Sequence, residues 1–158
     1  MSTQVVKCFG RRTLVIWGHL GMAVTHALVG YFSANGVDLG VVIGILVFLI
    51  VYQNSSGPVA WLYATETTID AAFGFCLLTL WGTVFILSLV CPILMKEDSL
   101  GPSNVFYVFA GLSFIGSVFC GTILVETQGL TDKEKKLIFT PKKFIIEDEK
   151  KEQEDKMA

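Results

Sequence analysis

The chain has 158 residues, 53% of them hydrophobic and only 16% charged, with a formal net charge of −2. That balance excludes an ordinary soluble domain, in which about a quarter of residues are charged. Between Thr13 and Met95 the formal charges are Asp38, Glu66 and Asp70 alone, which leaves no polar stripe for each helix of a soluble bundle.

Residues 1–12 form a basic N-terminal stub carrying Lys7, Arg11 and Arg12 and no acid. A span needs about 20 largely apolar residues, and four are predicted, at about 13–33, 39–63, 71–94 and 104–125, within a transmembrane domain of residues 13–130. The first holds Gly18, Gly21 and Gly30, which permit close helix approach, and ends at the turn signal Ala34, Asn35, Gly36. Residues 64–70 read as a short polar connector after the second span. The third span closes at Lys96, and the fourth follows Gly101 and Pro102, with Gly111, Gly116 and Gly121 suited to close packing. Residues 131–158 form a charged, hydrophilic tail, either a solvated helix or disordered. Lys and Arg flank the first span at its start and the fourth at its end, so both termini are expected on the inner side. The fold class is therefore an all-α membrane protein with four transmembrane helices. Starting at Met1 and ending in a hydrophilic tail, the chain reads as complete.

The second span carries the chemistry. Gln53, Asn54, Ser55 and Ser56 are four consecutive polar residues inside apolar sequence, which a lipid-embedded helix tolerates only against protein or water. Gly57 and Pro58 then weaken the helix and remove a backbone donor. A discontinuous span of this kind is a common way to build a transporter substrate site, and it sets Trp61 beside an opening. Residues 53–56 read equally well as inter-helix hydrogen-bonding groups, and Trp61 and Trp81 as interfacial anchors. His19 and His26 share a face of the first span and read as packing or hydrogen-bonding groups before a proton path or metal pair. Cys8, Cys76, Cys91 and Cys120 lack metal-type spacing, and the three in spans read as buried thiols. No nucleophile–base pair, phosphate loop or metal cluster is visible, so no catalysis, cofactor, metal or nucleic-acid partner is expected.

The order of these signals resembles the sugar-porter branch of the major facilitator transporters. Phe9, Gly10, Arg11 and Arg12 are similar to the basic loop before that family's ninth helix. The run from Gly57 to Tyr63 with Glu66 resembles the Gly-Pro-x-Pro-Trp break and following Glu of its tenth, and Trp81 falls where the eleventh has an Asn-Trp pair. The run from Glu126 to Thr131 resembles the exit from the twelfth. The resemblance covers roughly residues 7–134 and implies a partial C-terminal domain of helices nine to twelve. It implies a sugar site in which Trp61 is the platform, Gln53 and Asn54 supply hydrogen bonds, Gly57 and Pro58 allow bending, and Trp81 lies nearby. Arg11, Arg12, Glu66 and Glu126 are the positions of an inner-face charge network.

The departures are specific. Lys7 replaces an Asp, Ala60 the second Pro of the break, Leu80 the Asn before the Trp, Val125 the exit Pro and Gln128 the exit Lys. The Pro and Arg that follow the tenth-helix Glu are missing. A chain lacking eight of twelve helices is expected not to transport alone, but to serve as an accessory or structural subunit of a larger membrane complex. The alternative is the C-terminal part of a split hexose transporter, moving a small sugar by facilitated or proton-coupled transport with a partner chain. Its surroundings are then membrane lipid and other membrane polypeptides. The resemblance points to the plasma membrane, and a respiratory-complex role would point to the mitochondrial inner membrane.

Overall fold

A computed structural model of the chain describes residues 10–68, 70–96 and 98–131, together with Glu134, Lys135 and Ile138. The stub before Gly10, with Lys7 and Cys8, and the tail beyond Ile138 lie outside the described residues. Among them the secondary structure is wholly helical: α1 (Arg11–Ala34), α2 (Asp38–Asn54), α3 (Ser56–Thr67), α4 (Asp70–Leu94) and α5 (Pro102–Ile123). Helices α2 and α3 are two halves of one span, so four helical stretches are long and apolar enough to cross a membrane. The chain is a multi-pass integral membrane protein.

Local chemistry sets the helix ends. Asn35 donates from Nδ2 to the Tyr31 carbonyl at 2.8 Å, and Gly36 takes the turn at φ +65°. Pro102 opens α5, where its missing N–H is no loss. The expected connector at residues 64–70 is helical as far as Thr67. Thr65, Thr67 and Thr68 donate their hydroxyls to the carbonyls of Trp61, Tyr63 and Ala64, which satisfies these side chains within the helix.

Helix α1 is the hub, packed against α5 and α2 along its length and against α3 near its start. Small residues make this possible. A Cβ on Gly44 would lie 2.5 Å from Val29, and one on Gly30 would lie 3.1 Å from both the Ser103 carbonyl and the Tyr107 ring. Val15 of α1, Val59 of α3 and Cys120 of α5 form a buried cluster, flanked by Leu14, Ile16 and Leu124. Ser117 of α5 donates to the Ile16 carbonyl at 3.1 Å, tying the same pair of helices.

Two packing expectations are corrected. A Cβ on Gly111 would meet nothing within 4 Å, so this glycine takes no part in close packing among the described residues. Of the three span cysteines Cys120 is buried, but Cys91 is half-buried and Cys76 exposed, because α4 meets the rest of the bundle only lightly and has no buried residue in its apolar stretch.

Candidate functional site: a charge cluster and a cavity at the helix break

The first part of the site gathers at the start of α1. Gly10 precedes it at φ +75°, a conformation that favours glycine, and a Cβ there would stand 2.6 Å from Glu126 Oε2. Glu126 Oε1 accepts the backbone N–H groups of Arg11 at 3.0 Å and of Thr127 and Gln128 at 3.1 Å. Its Oε2 accepts the Arg12 N–H at 3.1 Å. The carboxylate thus sits on the positive end of α1, where it satisfies orphan donors and complements the helix dipole. The Arg11 guanidinium pairs with the Glu66 carboxylate in the last turn of α3 and donates to Thr127 Oγ1 at 3.1 Å. Arg12 donates to the Gly121 carbonyl at 2.6 Å. All four charged positions singled out in the sequence are therefore within one cluster.

Lys135 joins it, with Nζ 3.5 Å from Glu66 Oε2 and the residue buried. Sequence reasoning passed over Lys135 because the chain beyond Thr131 reads as solvated. The available signal was the spacing of Thr131 and Glu134, which forms a reciprocal cap. Glu134 Oε2 accepts the Thr131 N–H at 2.8 Å and its hydroxyl at 2.7 Å, while the Glu134 N–H donates to Thr131 Oγ1 at 3.4 Å. The Thr131 hydroxyl, and then its N–H, hold the Glu134 carboxyl below the usual Glu range. A depressed folded pKa means the cap contributes fully above the ordinary Glu pKa and is lost as pH falls through the folded value. Amide exchange at Thr131 is expected to accelerate on acidification below the ordinary Glu range, beyond the intrinsic pH trend, and Glu134→Gln is expected to remove that dependence.

The second part lies at the break itself. Ser55 has φ −128° and ψ −96°, and its hydroxyl donates to the Val51 carbonyl at 2.5 Å as α2 gives way to α3. A cavity of about 330 Å³ opens beside it. It is lined by His19 and Met22 of α1, Tyr52, Ser56, Gly57 and Trp61 at the break, and Phe73, Cys76 and Leu80 of α4, among others. The Trp61 and Phe73 rings meet edge-on with centroids 6.3 Å apart. Tyr52 closes over Gly57, where a Cβ would lie 3.1 Å from the tyrosine ring and carbonyl.

Of the residues singled out for a sugar site, Gly57 and Trp61 line this cavity. Gln53 and Asn54 are exposed and outside its lining, and Asn54 Nδ2 donates to the Ile50 carbonyl of its own helix at 2.8 Å. Pro58 is half-buried and not part of the lining, and Trp81 is 62% exposed while its neighbour Leu80 lines the cavity. The two histidines part company. His26 packs among the rings of Phe48, Phe106 and Phe109, with the nearest centroid 4.5 Å away. His19 reaches the break: its Nδ1 is 3.0 Å from both the Val15 carbonyl and Ser56 Oγ.

A span broken beside a cavity, with a tryptophan in its lining, is an architecture that membrane transporters use. The chain belongs to the sugar (and other) transporter family, whose model matches residues 1–139. It is 30% identical over 140 residues to the D-xylose-proton symporter-like 3, chloroplastic, of Arabidopsis thaliana, covering 85% of this chain and 25% of that protein. It is 28% identical over 140 residues to the glucose facilitated diffusion protein of Zymomonas mobilis, covering 82% of this chain and 29% of the relative. Against hexose transporter 1 of Plasmodium falciparum it is 28% identical over 137 residues, covering 81% and 27%. The chain thus spans little more than a quarter of the length of these relatives. No solved structure matches it.

Proposed function

We propose that this chain is the C-terminal part of a sugar transporter, corresponding to helices nine to twelve, and works with the remaining helices of the pathway. The observation that carries this reading is the cavity at the break, with Trp61 in its lining. A flat apolar ring beside an opening suits the C–H face of a small sugar, while Ser56, Tyr52 and His19 offer hydrogen-bonding groups to hydroxyls. The charge cluster supports it from the other end. Arg11, Glu66, Lys135 and Glu126 join the starts and ends of three helices at one membrane face, the arrangement expected of a gate that holds one conformation. That face is the inner one if the lysine and arginine bias is obeyed. By kinship with its relatives the substrate is a hexose or pentose. The membrane is the plasma membrane under the transport reading.

A second reading has its own observation. Leu80 faces the cavity where the family carries an Asn, and Gln53 and Asn54 turn away from it, so the wall is poorer in hydrogen-bonding groups than a sugar needs. Under this reading the chain is an accessory subunit of a larger membrane complex, such as one of the mitochondrial inner membrane, and its broken helix is inherited architecture.

Native purification in mild detergent with mass spectrometry of co-migrating chains separates the two. A sugar transporter carrying the other helices, with D-glucose or D-xylose uptake on reconstitution, supports transport. In that preparation Trp61→Ala is expected to weaken sugar binding about tenfold, roughly 1.4 kcal/mol, with little change in expression. Fixed stoichiometry in a complex of unrelated chemistry, with no sugar uptake, overturns it in favour of the accessory role.

A further inference from the structure

His19 and Ser56, besides lining the cavity, bond to each other at the point where the second span is broken. The Val15 carbonyl can only accept, so His19 Nδ1 carries the proton, and its N–H is shared between that carbonyl and Ser56 Oγ, each at 3.0 Å. The bond crosses from α1 to the first turn of α3. The surroundings fit it closely on both sides. A Cβ on Gly18 would lie 2.6 Å from Ser55 Cβ and 2.9 Å from Ser56 Oγ, and one on Gly116 of α5 would lie 2.9 Å from the His19 ring.

The same two helices are joined once more, by Arg11 and Glu66. They run antiparallel, so the two junctions lie eight residues apart on α1 and ten apart on α3, about 12 and 15 Å along the axes. Trp61 stands midway between Ser56 and Glu66 on α3. Helix α2 meets α3 across the irregular backbone at Ser55, with the Tyr52 ring set against Gly57.

We infer that His19 is a positioning residue: with Ser56 it forms the second of two clamps that make α3 move as one body with α1. Flexing of the second span is then confined to Ser55. The cavity changes shape by displacement of the lightly packed α4 around a fixed Trp61, not by swinging of Trp61 itself. The inference goes beyond the transport reading and rests on it only for its effect on sugar binding.

The test uses the full chain in lipid nanodiscs with Trp17→Phe and Trp81→Phe, which leaves Trp61 as the single tryptophan. His19→Leu is expected to shift Trp61 emission and to raise its quenching by acrylamide about twofold, the scale of population change that loss of one hydrogen bond brings. Ser56→Ala should do the same, and the double variant should do no more than either alone. His19→Asn, which restores a donor near the Nδ1 position, should return the signal. Unchanged emission and quenching in His19→Leu, or additive effects of the two substitutions, would overturn the clamp. If His19→Leu fails to fold, Ser56→Ala decides by the same readout, an unchanged Trp61 sinking the idea. No sugar is needed, so loss of the transport reading and loss of the clamp are separate results.

Discussion

Replacing Glu126 by Ala is expected to lower stability by about 3 kcal/mol and to detach the segment after α5 from the start of α1. Its two oxygens accept four backbone N–H groups, from Arg11, Arg12, Thr127 and Gln128. Hydrogen bonds to a charged acceptor are worth more than neutral ones, but the group is half-buried, and water can replace part of what is lost. The total is therefore set well below the sum of four isolated bonds. The loss also leaves Arg11 and Arg12 with less negative charge beside them. Thermal unfolding in detergent should register the change, and proteolysis should cut sooner near Thr127. Glu126→Gln keeps one acceptor oxygen and should fall between the two. Equal melting of Glu126→Ala and the parent chain would show that the carboxylate is not what holds these segments together.

Gly18→Leu is expected to have an effect of the same size by the opposite route, filling space where none exists. The site has the Ser55 side chain against it, so a leucine must displace the break rather than a flexible side-chain tip. Overpacking of this kind costs about 1–3 kcal/mol, and separation of His19 from Ser56 adds the loss of that bond. Gly18→Ala should show the smaller part of the effect. Gly111→Ala on α5 is the matching control, since the space there is open, and it is expected to stay within about 0.5 kcal/mol of the parent. If Gly18→Leu and Gly111→Ala melt together, the joint between α1 and the break is not tightly packed.

What could be read from the sequence, and what could not, divides along physical lines. The four spans follow from long apolar runs and the scarcity of charge, which hold whatever the packing. The break follows from Gly57 and Pro58, whose backbone effects are local. Which residues face the cavity is a different matter. Each residue turns a helix by about 100°, and the irregular backbone at Ser55 resets that phase between α2 and α3. The polar run at residues 53–56 is consequently split, Gln53 and Asn54 staying outside the cavity while Ser56 lines it. On α4, Leu80 rather than Trp81 reaches the cavity because adjacent residues of one helix point about 100° apart, and the packing of α4 decides which of them faces inward. His19 and His26 share a face by spacing, yet one meets a serine and the other three phenylalanines, because their neighbours come from different helices. Gly10 was legible as part of a motif, but its reason, a carboxylate 116 residues away pressed against the start of α1, lies in the tertiary structure.

The broken span carries one further consequence, which concerns the thickness of the membrane. From Asp38 to Thr67 it has 30 residues, against 24, 24 and 23 for the other three. At about 1.5 Å per residue it reaches roughly 45 Å, well beyond the ~30 Å hydrocarbon layer, while its neighbours come to about 36 Å or less. With Glu66 tied to the start of α1, the surplus length cannot be taken up at that end. It must be taken up by tilting α2 or by bending at Ser55. A thinner bilayer bends the span further and a thicker one straightens it, so lipid chain length acts directly on the joint beside Trp61.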